Sequence, residues 1–202
     1  MPIRSYLRKE KNRIKCYLYL LKNQKKKFNV GSANTSVGDD WFSSDIDVLN
    51  ITKRQDWVRI LLFTKLDNIM AEHVWEHLTD SDTQLANKNC FDFLKKGGSM
   101  RLAVPDGLHP DKEYIDYVKP GGWGAGADDH KILYNYKIMI ERLEKVGFEV
   151  KLLEHWDEDG NFHYTEWFDE QGRISRSKRY DERNESGELK YTSLIIDAIK
   201  PL

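Results

Sequence analysis

The spacing of apolar and polar positions changes repeatedly along this chain, and each change predicts an element. Residues 4–22 repeat at helical spacing, with Tyr6, Ile14, Tyr17, Leu18 and Leu21 at the apolar positions. "KKFNVG" is a short strand halted at Gly31, followed by the turn formers "SANTSVGDD". "WFSSDIDVLNI" predicts one or two short strands, "KRQDWVRILLF" a helix and "KLDNIMAE" a strand. Thr79, Asp80, Ser81 and Asp82 offer N-caps for a helix running to about Leu94, with "KKGG" as its stop. "SMRLAVPDG" reads as a buried strand ended by Pro105. A long Gly- and Pro-bearing connection follows, then the helical pattern "HKILYNYKIMIERLEKVG" with Gly147 as its stop.

From Phe148 onward the period is that of strands. Asp159-Gly160 sits between two alternating runs, a hairpin signal, and "LKYTSLIIDAIKP" supplies a last strand. The acidic hairpin and the basic "RISRSKRYDER" after it predict a small sheet extension. Strands that alternate with helices and then pair antiparallel imply an α/β fold: a three-layer sandwich on a mostly parallel, Rossmann-like sheet that ends in antiparallel strands. The organisation predicted is a basic helix over 1–25 and one domain over 26–202, with a hairpin-rich elaboration over about 150–185.

Composition narrows the classes. A chain of 202 residues that is 40% hydrophobic, with six Trp and ten Tyr, can bury one substantial core. No run of eighteen apolar residues occurs, so no membrane span is expected. The charged N-terminus lacks the apolar centre of a secretory signal, and Cys16 and Cys90 match no metal or redox spacing. Free thiols in a reducing cytoplasm are the expectation. The net charge of −1 hides an asymmetry: residues 1–27 carry ten basic side chains and one acid, Glu10, so this segment is +9 and the rest −10. Such an arm can hold nucleic acid or an anionic membrane surface, but without an aromatic platform or a known motif a solvated helix packing by its apolar positions is favoured.

Open α/β sheets bind ligands at the carboxyl ends of their strands, where strand order reverses. The residues there are Gly31, Ser32, Ala33 and Asn34 after the first strand, Asp45 and Ile46 after the second, and Asn50 and Ile51 after the third. Glu72 and His73 follow the fourth, and Asp106 the fifth, with His109 just beyond. A small-residue turn admits a ligand close to the backbone, an acid accepts two ribose hydroxyl protons, and an amide can bond an adenine amino group. Together they would form a nucleoside pocket.

"FNVGSANTSVGDDWFSSDID", "DVLNI", "LDNIMAEHVWEHL" and "FLKKGGSMRLAVPDG", in this order, resemble the class I S-adenosylmethionine-dependent methyltransferases. A compact bacterial group of predicted methyltransferases, similar to methyltransferase type 11, is nearer still through "AEHVWEHLT", "PDGLHPD" and "GADDHK". The resemblance covers roughly residues 26–200. It implies S-adenosylmethionine as cofactor, S-adenosylhomocysteine as product, and a small-molecule or glycan acceptor methylated on oxygen or nitrogen. It places Asn29, Gly31, Ser32 and Ala33 under the methionine part, and Asp45 with Ile46 at the ribose. Asn50 with Ile51 falls on the adenine side, and Glu72 and His73 fall at the sulfonium. His73, His109, Asp106 and His130 are the catalytic candidates, and no resident metal is expected. The family's G-x-G is Gly31-Ser32-Ala33 here, and Asn29 stands where an acid is usual.

One motif points elsewhere. His73-Val-Trp-Glu-His77 matches the inverted zinc-peptidase pattern H-x-x-E-H, which works only inside a helix, where both imidazoles share one face. Here a strand runs directly into His73 and the helix caps begin only at Thr79, so the cofactor-pocket reading is preferred. His109, His130 and Asp106 would be its candidate third ligands. "GGWGAGADDH" is expected to be a lid with Trp123 at its tip, and Asp128 or Asp129 to cap the next helix.

Overall fold

The computed structural model describes residues 3–33, 37–185 and 187–202, with side chains from residue 9 onward; Asn34 and Tyr6 therefore lie outside what is described at side-chain level. Seven strands form one mixed sheet. They are β1 (Lys27–Val30), β2 (Phe42–Ser44), β3 (Leu66–Glu72), β4 (Leu94–Pro105), β5 (Glu149–Trp156), β6 (Phe162–Tyr164) and β7 (Ser193–Ile199), in the spatial order β2-β1-β3-β4-β7-β5-β6. Strands β2, β1, β3 and β4 pair parallel, and β4-β7, β7-β5 and β5-β6 pair antiparallel. Because β1 pairs with β2 on one side and β3 on the other, strand order reverses there, and the carboxyl ends of β1 and β3 flank that point.

The helices are α1 (Ile3–Lys22), α2 (Arg54–Leu61), α3 (Asp80–Phe93), α4 (Lys112–Val118) and α5 (Tyr136–Glu144). Period two along the strands sorts their residues between two faces. Phe28, Val30, Ile69, Ala71, Leu102 and Ile196 enter the larger core, joined by Trp57 and Ile60 of α2, Cys90 and Phe93 of α3 and Met139 and Leu143 of α5. Met70, Ala103, Leu153 and Ile195, one position off, face a smaller core with Trp41, Trp167 and Ile174.

That second face is covered by irregular chain. Among the described residues, 165–192 contains no strand, so the hairpin of β5 and β6 stands without the sheet extension expected from the basic segment. Buried polar side chains on the sheet hold the irregular layer by its main chain. Arg101 on β4 donates from Nη1 to the carbonyls of Phe168 and Gly172, each at 2.7 Å, and grips Asp197 of β7 with Nε and Nη2. Glu154 on β5 accepts from Trp167 Nε1 at 2.9 Å and Lys178 N at 2.8 Å. Backbone groups that would otherwise be buried without partners are satisfied in this way.

Several expectations shift. "VLNI" forms turns, leaving β2 as the only strand of its stretch, because Asp45 O accepts from Val48 N and Leu49 N. "KKGG" opens β4 and does not end α3, which stops at Phe93. The connection after β4 contains α4, capped by Asp111, whose side chain accepts from Glu113 N. Helix α5 starts at Tyr136 with Asn135 as its cap, six residues after the predicted start, while Asp128 and Asp129 sit in a separate 3-10 turn. Thr79 caps α3 through Asp82 N, and Gly147, at φ +106°, ends the α5 region as predicted. In α1 the packed positions are Cys16, Tyr19 and Leu20, whereas Ile14, Leu18 and Leu21 face solvent. Both cysteines are free and buried, and no helix among the described residues is long and apolar enough to cross a membrane.

Candidate functional site

The chain leaves β1 through Gly31, at φ +66°, into Ser32 and Ala33. A Cβ at residue 31 would stand 2.5 Å from Val74 Cγ2, so glycine is required there both by backbone conformation and by space. Ser32 N bonds Ser44 O at 3.0 Å, which ties the turn to the end of β2. Across the switch point β3 ends at Glu72, and His73 takes φ +55°, an uncommon left-handed conformation for a residue with a side chain. Its amide still bonds Ala103 O at 2.8 Å, so the β4 ladder holds the strained residue in place.

Between these strand ends lies a cavity of about 650 Å³, within the range of small-ligand sites. Of the residues named from sequence, Asn29, Gly31, Ser32, Ala33, Glu72, His73 and His130 line it together. Glu72 is also structural, since its carboxylate accepts from Ser175 N at 3.0 Å and Arg176 N at 2.7 Å, which draws the irregular layer over the cavity as a wall.

His73 lies in the floor, with Nε2 3.0 Å from Ser193 Oγ and Nδ1 3.3 Å from Glu76 Oε1. Burial, helped by the Arg176 charge, lowers its pKa well below the ordinary value, so the ring is neutral. Burial likewise pushes Glu76 up to about 8. His130 donates from Nδ1 to Val118 O at 2.6 Å, and its pKa too is lowered by burial.

Other named residues do not line the cavity. Asp45 bonds Ile46 N through Oδ1 at 2.7 Å, and Ile46 points to solvent. Asn50 Oδ1 accepts from Thr52 N and Oγ1, while the Ile51 side chain is in the core and its carbonyl receives Trp57 Nε1 and Asn89 Nδ2. Asp106 is fully buried, accepting from Leu108 N at 3.0 Å and Trp156 N at 2.8 Å, and burial raises its pKa to about 6. His109 stacks on Tyr114 with ring centroids 4.0 Å apart and accepts from Asp111 N. Asp45, Asn50 and Asp106 have local partners and His109 has one on Nδ1, while its buried Nε2 takes none; sequence spacing cannot distinguish such uses from a group facing a ligand.

The cavity also has walls that sequence reasoning missed. Tyr117 of α4, Arg176, Arg183 and Tyr191 are among them, while Gly124 and Ala125, also in the lining, belong to the run expected to cover the site. Trp123 stays outside it, largely exposed and edge-on to Tyr117. Residues 175–191 carry no periodicity that could have announced them, since the chain there is irregular. The peptidase geometry is not formed: Trp75–His77 is a single 3-10 turn, and the left-handed His73 precedes it, so the two histidines do not share a helical face.

No protein-family model matches the sequence, and no curated protein does. Solved structures do resemble this fold. A SAM-dependent methyltransferase from Thermotoga maritima, described as a possible histamine N-methyltransferase, superposes with a TM-score of 0.50 at 13% identity, over 98% of this chain and 96% of that one. The CurJ carbon methyltransferase also gives 0.50 at 13% identity, over 95% of this chain and 54% of its own. A SAM-dependent methyltransferase from Archaeoglobus fulgidus gives 0.48 at 12%, over 95% and 93%. At such identity the likeness establishes the fold alone, a Rossmann-like mixed α/β sheet shared with those two structures.

Proposed function

We propose that the chain binds S-adenosylmethionine in the cavity at the β1/β3 switch point and transfers its methyl group to an oxygen or nitrogen of a small-molecule or glycan acceptor. The observation that carries this is the convergence of Asn29, Gly31, Ser32, Glu72 and His73 on one ligand-sized cavity, at the place where open α/β sheets bind ligands. The donor set fits the cofactor: a buried side-chain amide, a tight glycine turn that lets the backbone approach, and neutral imidazole in the floor. When bound, the cofactor supplies a sulfonium-activated, electrophilic methyl carbon.

The chain's own residues then divide the work. Asn29 and the Gly31-Ser32 backbone hold the amino-acid end. The segment drawn in by Glu72, with Tyr117 and Tyr191, excludes water and fixes the acceptor in line. Neutral His73, oriented by Ser193, can take the proton of an acceptor hydroxyl; for a carboxylate acceptor it only orients. A cofactor-binding module without transfer would bind equally well but yield no acceptor-dependent product. Methylation of nucleic acid through the +9 segment ranks lower, since the sequence offers neither an Asn-Pro-Pro-aromatic motif nor an aromatic base-stacking patch; it predicts a steep salt dependence of RNA or DNA affinity, abolished by deleting residues 1–27.

Calorimetric titration with S-adenosylhomocysteine tests the reading. Saturable one-to-one binding, weakened at least tenfold in Asn29→Ala, is expected. Absence of saturable binding overturns it. His73→Ala should lower turnover far more than affinity for the cofactor, and equal losses in both would remove His73 from the acceptor side.

A further inference from the structure

The H-x-x-E-H stretch does not form a peptidase site, yet its last two residues meet His130 in another arrangement. Glu76, His77 and His130 each present one ligand atom, and these atoms lie within 4.8 Å of one another. All three residues line the cavity. Glu76 is 1% exposed, and neither carboxylate oxygen takes a hydrogen bond from another residue; His73 Nδ1 lies 3.3 Å from Oε1. A buried carboxyl group with neither oxygen hydrogen-bonded is a standing cost in either protonation state, and a bound cation would remove it by holding the ionised form.

The histidines are already oriented to hold a cation. His130 donates Nδ1–H to Val118 O, so Nε2 carries the lone pair, and this atom lies 4.0 Å from Glu76 Oε1. His77 Nδ1 lies 3.3 Å from Asp129 Oδ2; donating there leaves Nε2 free. The two rings stand edge to face with centroids 4.7 Å apart. A carbonyl or carboxylate on the far nitrogen of each ring is the usual support of a metal-bound imidazole. We propose that Glu76, His77 and His130 form a binding site for a divalent first-row transition metal of the zinc type, its remaining coordination positions open to the cavity.

Bonds of about 2.1 Å set ligand atoms roughly 3.4 Å apart around a tetrahedral ion. The 4.0 Å between Glu76 Oε1 and His130 Nε2 needs to contract by about 0.6 Å, through a small shift of either side chain, and the distances to His77, within 4.8 Å, by up to about 1.4 Å, which rotation of its partly exposed ring can supply. Two imidazoles and one carboxylate with open positions suit zinc, iron(II) or cobalt(II) better than magnesium or calcium, which prefer oxygen ligands. A substrate oxygen or nitrogen would complete the shell beside His73, so the metal would orient the acceptor. That role, though not the binding, rests on the methyltransferase reading.

The test uses the full chain stripped by chelator and titrated with Zn²⁺ calorimetrically and with Co²⁺ by visible absorption, alongside S-adenosylhomocysteine. One equivalent of metal is expected, with Co²⁺ bands displaced by Zn²⁺. His77→Ala and Glu76→Gln should weaken Zn²⁺ binding at least a hundredfold, and Asp129→Ala about tenfold. His77 is partly exposed, so His77→Ala should keep the wild-type fold by circular dichroism and decides alone if Glu76→Gln does not fold. No saturable metal binding in the wild-type protein, or unchanged binding in folded His77→Ala, overturns the inference. Cofactor binding without metal binding defeats only the metal site; metal binding without cofactor binding defeats the methyltransferase reading instead.

Discussion

Replacing Arg101 by methionine tests how the irregular layer is fastened to the sheet. The guanidinium is fully buried and makes four hydrogen bonds of 2.7–2.8 Å: two to Asp197, which it faces across the β4–β7 ladder, and one each to Phe168 O and Gly172 O. Its plane also lies over Trp167, 4.8 Å from the ring centre. Arg101→Met keeps the volume but leaves the Asp197 carboxylate buried without its partner, at a cost of about 3–5 kcal/mol. For a chain of this size that lowers the unfolding midpoint by roughly 6–20 °C. Because Phe168 and Gly172 belong to the layer whose continuation walls the cavity, affinity for S-adenosylhomocysteine should fall as well. Arg101→Met/Asp197→Leu removes both charges and should recover a large part of the loss, incompletely because the two carbonyls still lack a donor. Urea denaturation of the four proteins of this cycle gives the coupling energy directly. A single variant within about 1 kcal/mol of wild type, or a double variant no better than the single, would refute the account of Arg101 as the anchor of this layer.

Further expectations concern the strand ends. Glu72→Ala removes the acceptor of Ser175 N and Arg176 N; cofactor affinity should drop about tenfold, limited proteolysis should cut near 173–185, and global stability should fall by only about 2 kcal/mol. Gly31→Ala meets both φ +66° and a 2.5 Å approach to Val74, so it should lose about 2 kcal/mol or more in denaturation, of which adding Val74→Ala restores the steric but not the conformational part. Asp106 is raised from 3.8 to about 6 by burial, so the folded state holds its proton more tightly than the unfolded one. The stability this contributes is full below pH 3.8 and is lost as pH rises through 6, about 3 kcal/mol in all. Asp106→Asn cannot titrate, and its difference from wild type in urea titrations should therefore shrink by up to that amount between about pH 4 and pH 6.5; a constant difference would count against the burial effect.

Local chemistry reached far into this fold. Period-two runs located β1, β3, β4, β5 and β7, Thr79 announced α3, and Asp159-Gly160 announced the hairpin, because each depends on neighbours within a few residues. The mixed α/β sheet followed from the order of those elements. The same logic named Asn29, Gly31, Ser32, Glu72 and His73, which line one cavity, since residues just past parallel strands at a switch point share one edge of the sheet. It reached its limit where a polar side chain had a choice of partner. Asp45, Asn50 and Asp106 occupy the expected strand ends but close turns or bond distant backbone amides, and no spacing distinguishes those uses. Tertiary structure alone decided what covers the second face of the sheet. Residues 165–192 have no period, and their positions are set by Arg101, Glu154 and Glu72, which lie as many as 104 residues away in sequence. Contacts at that separation bring Arg176, Arg183 and Tyr191 to the cavity and set His130 beside Glu76 and His77, and they form only once the whole sheet is assembled.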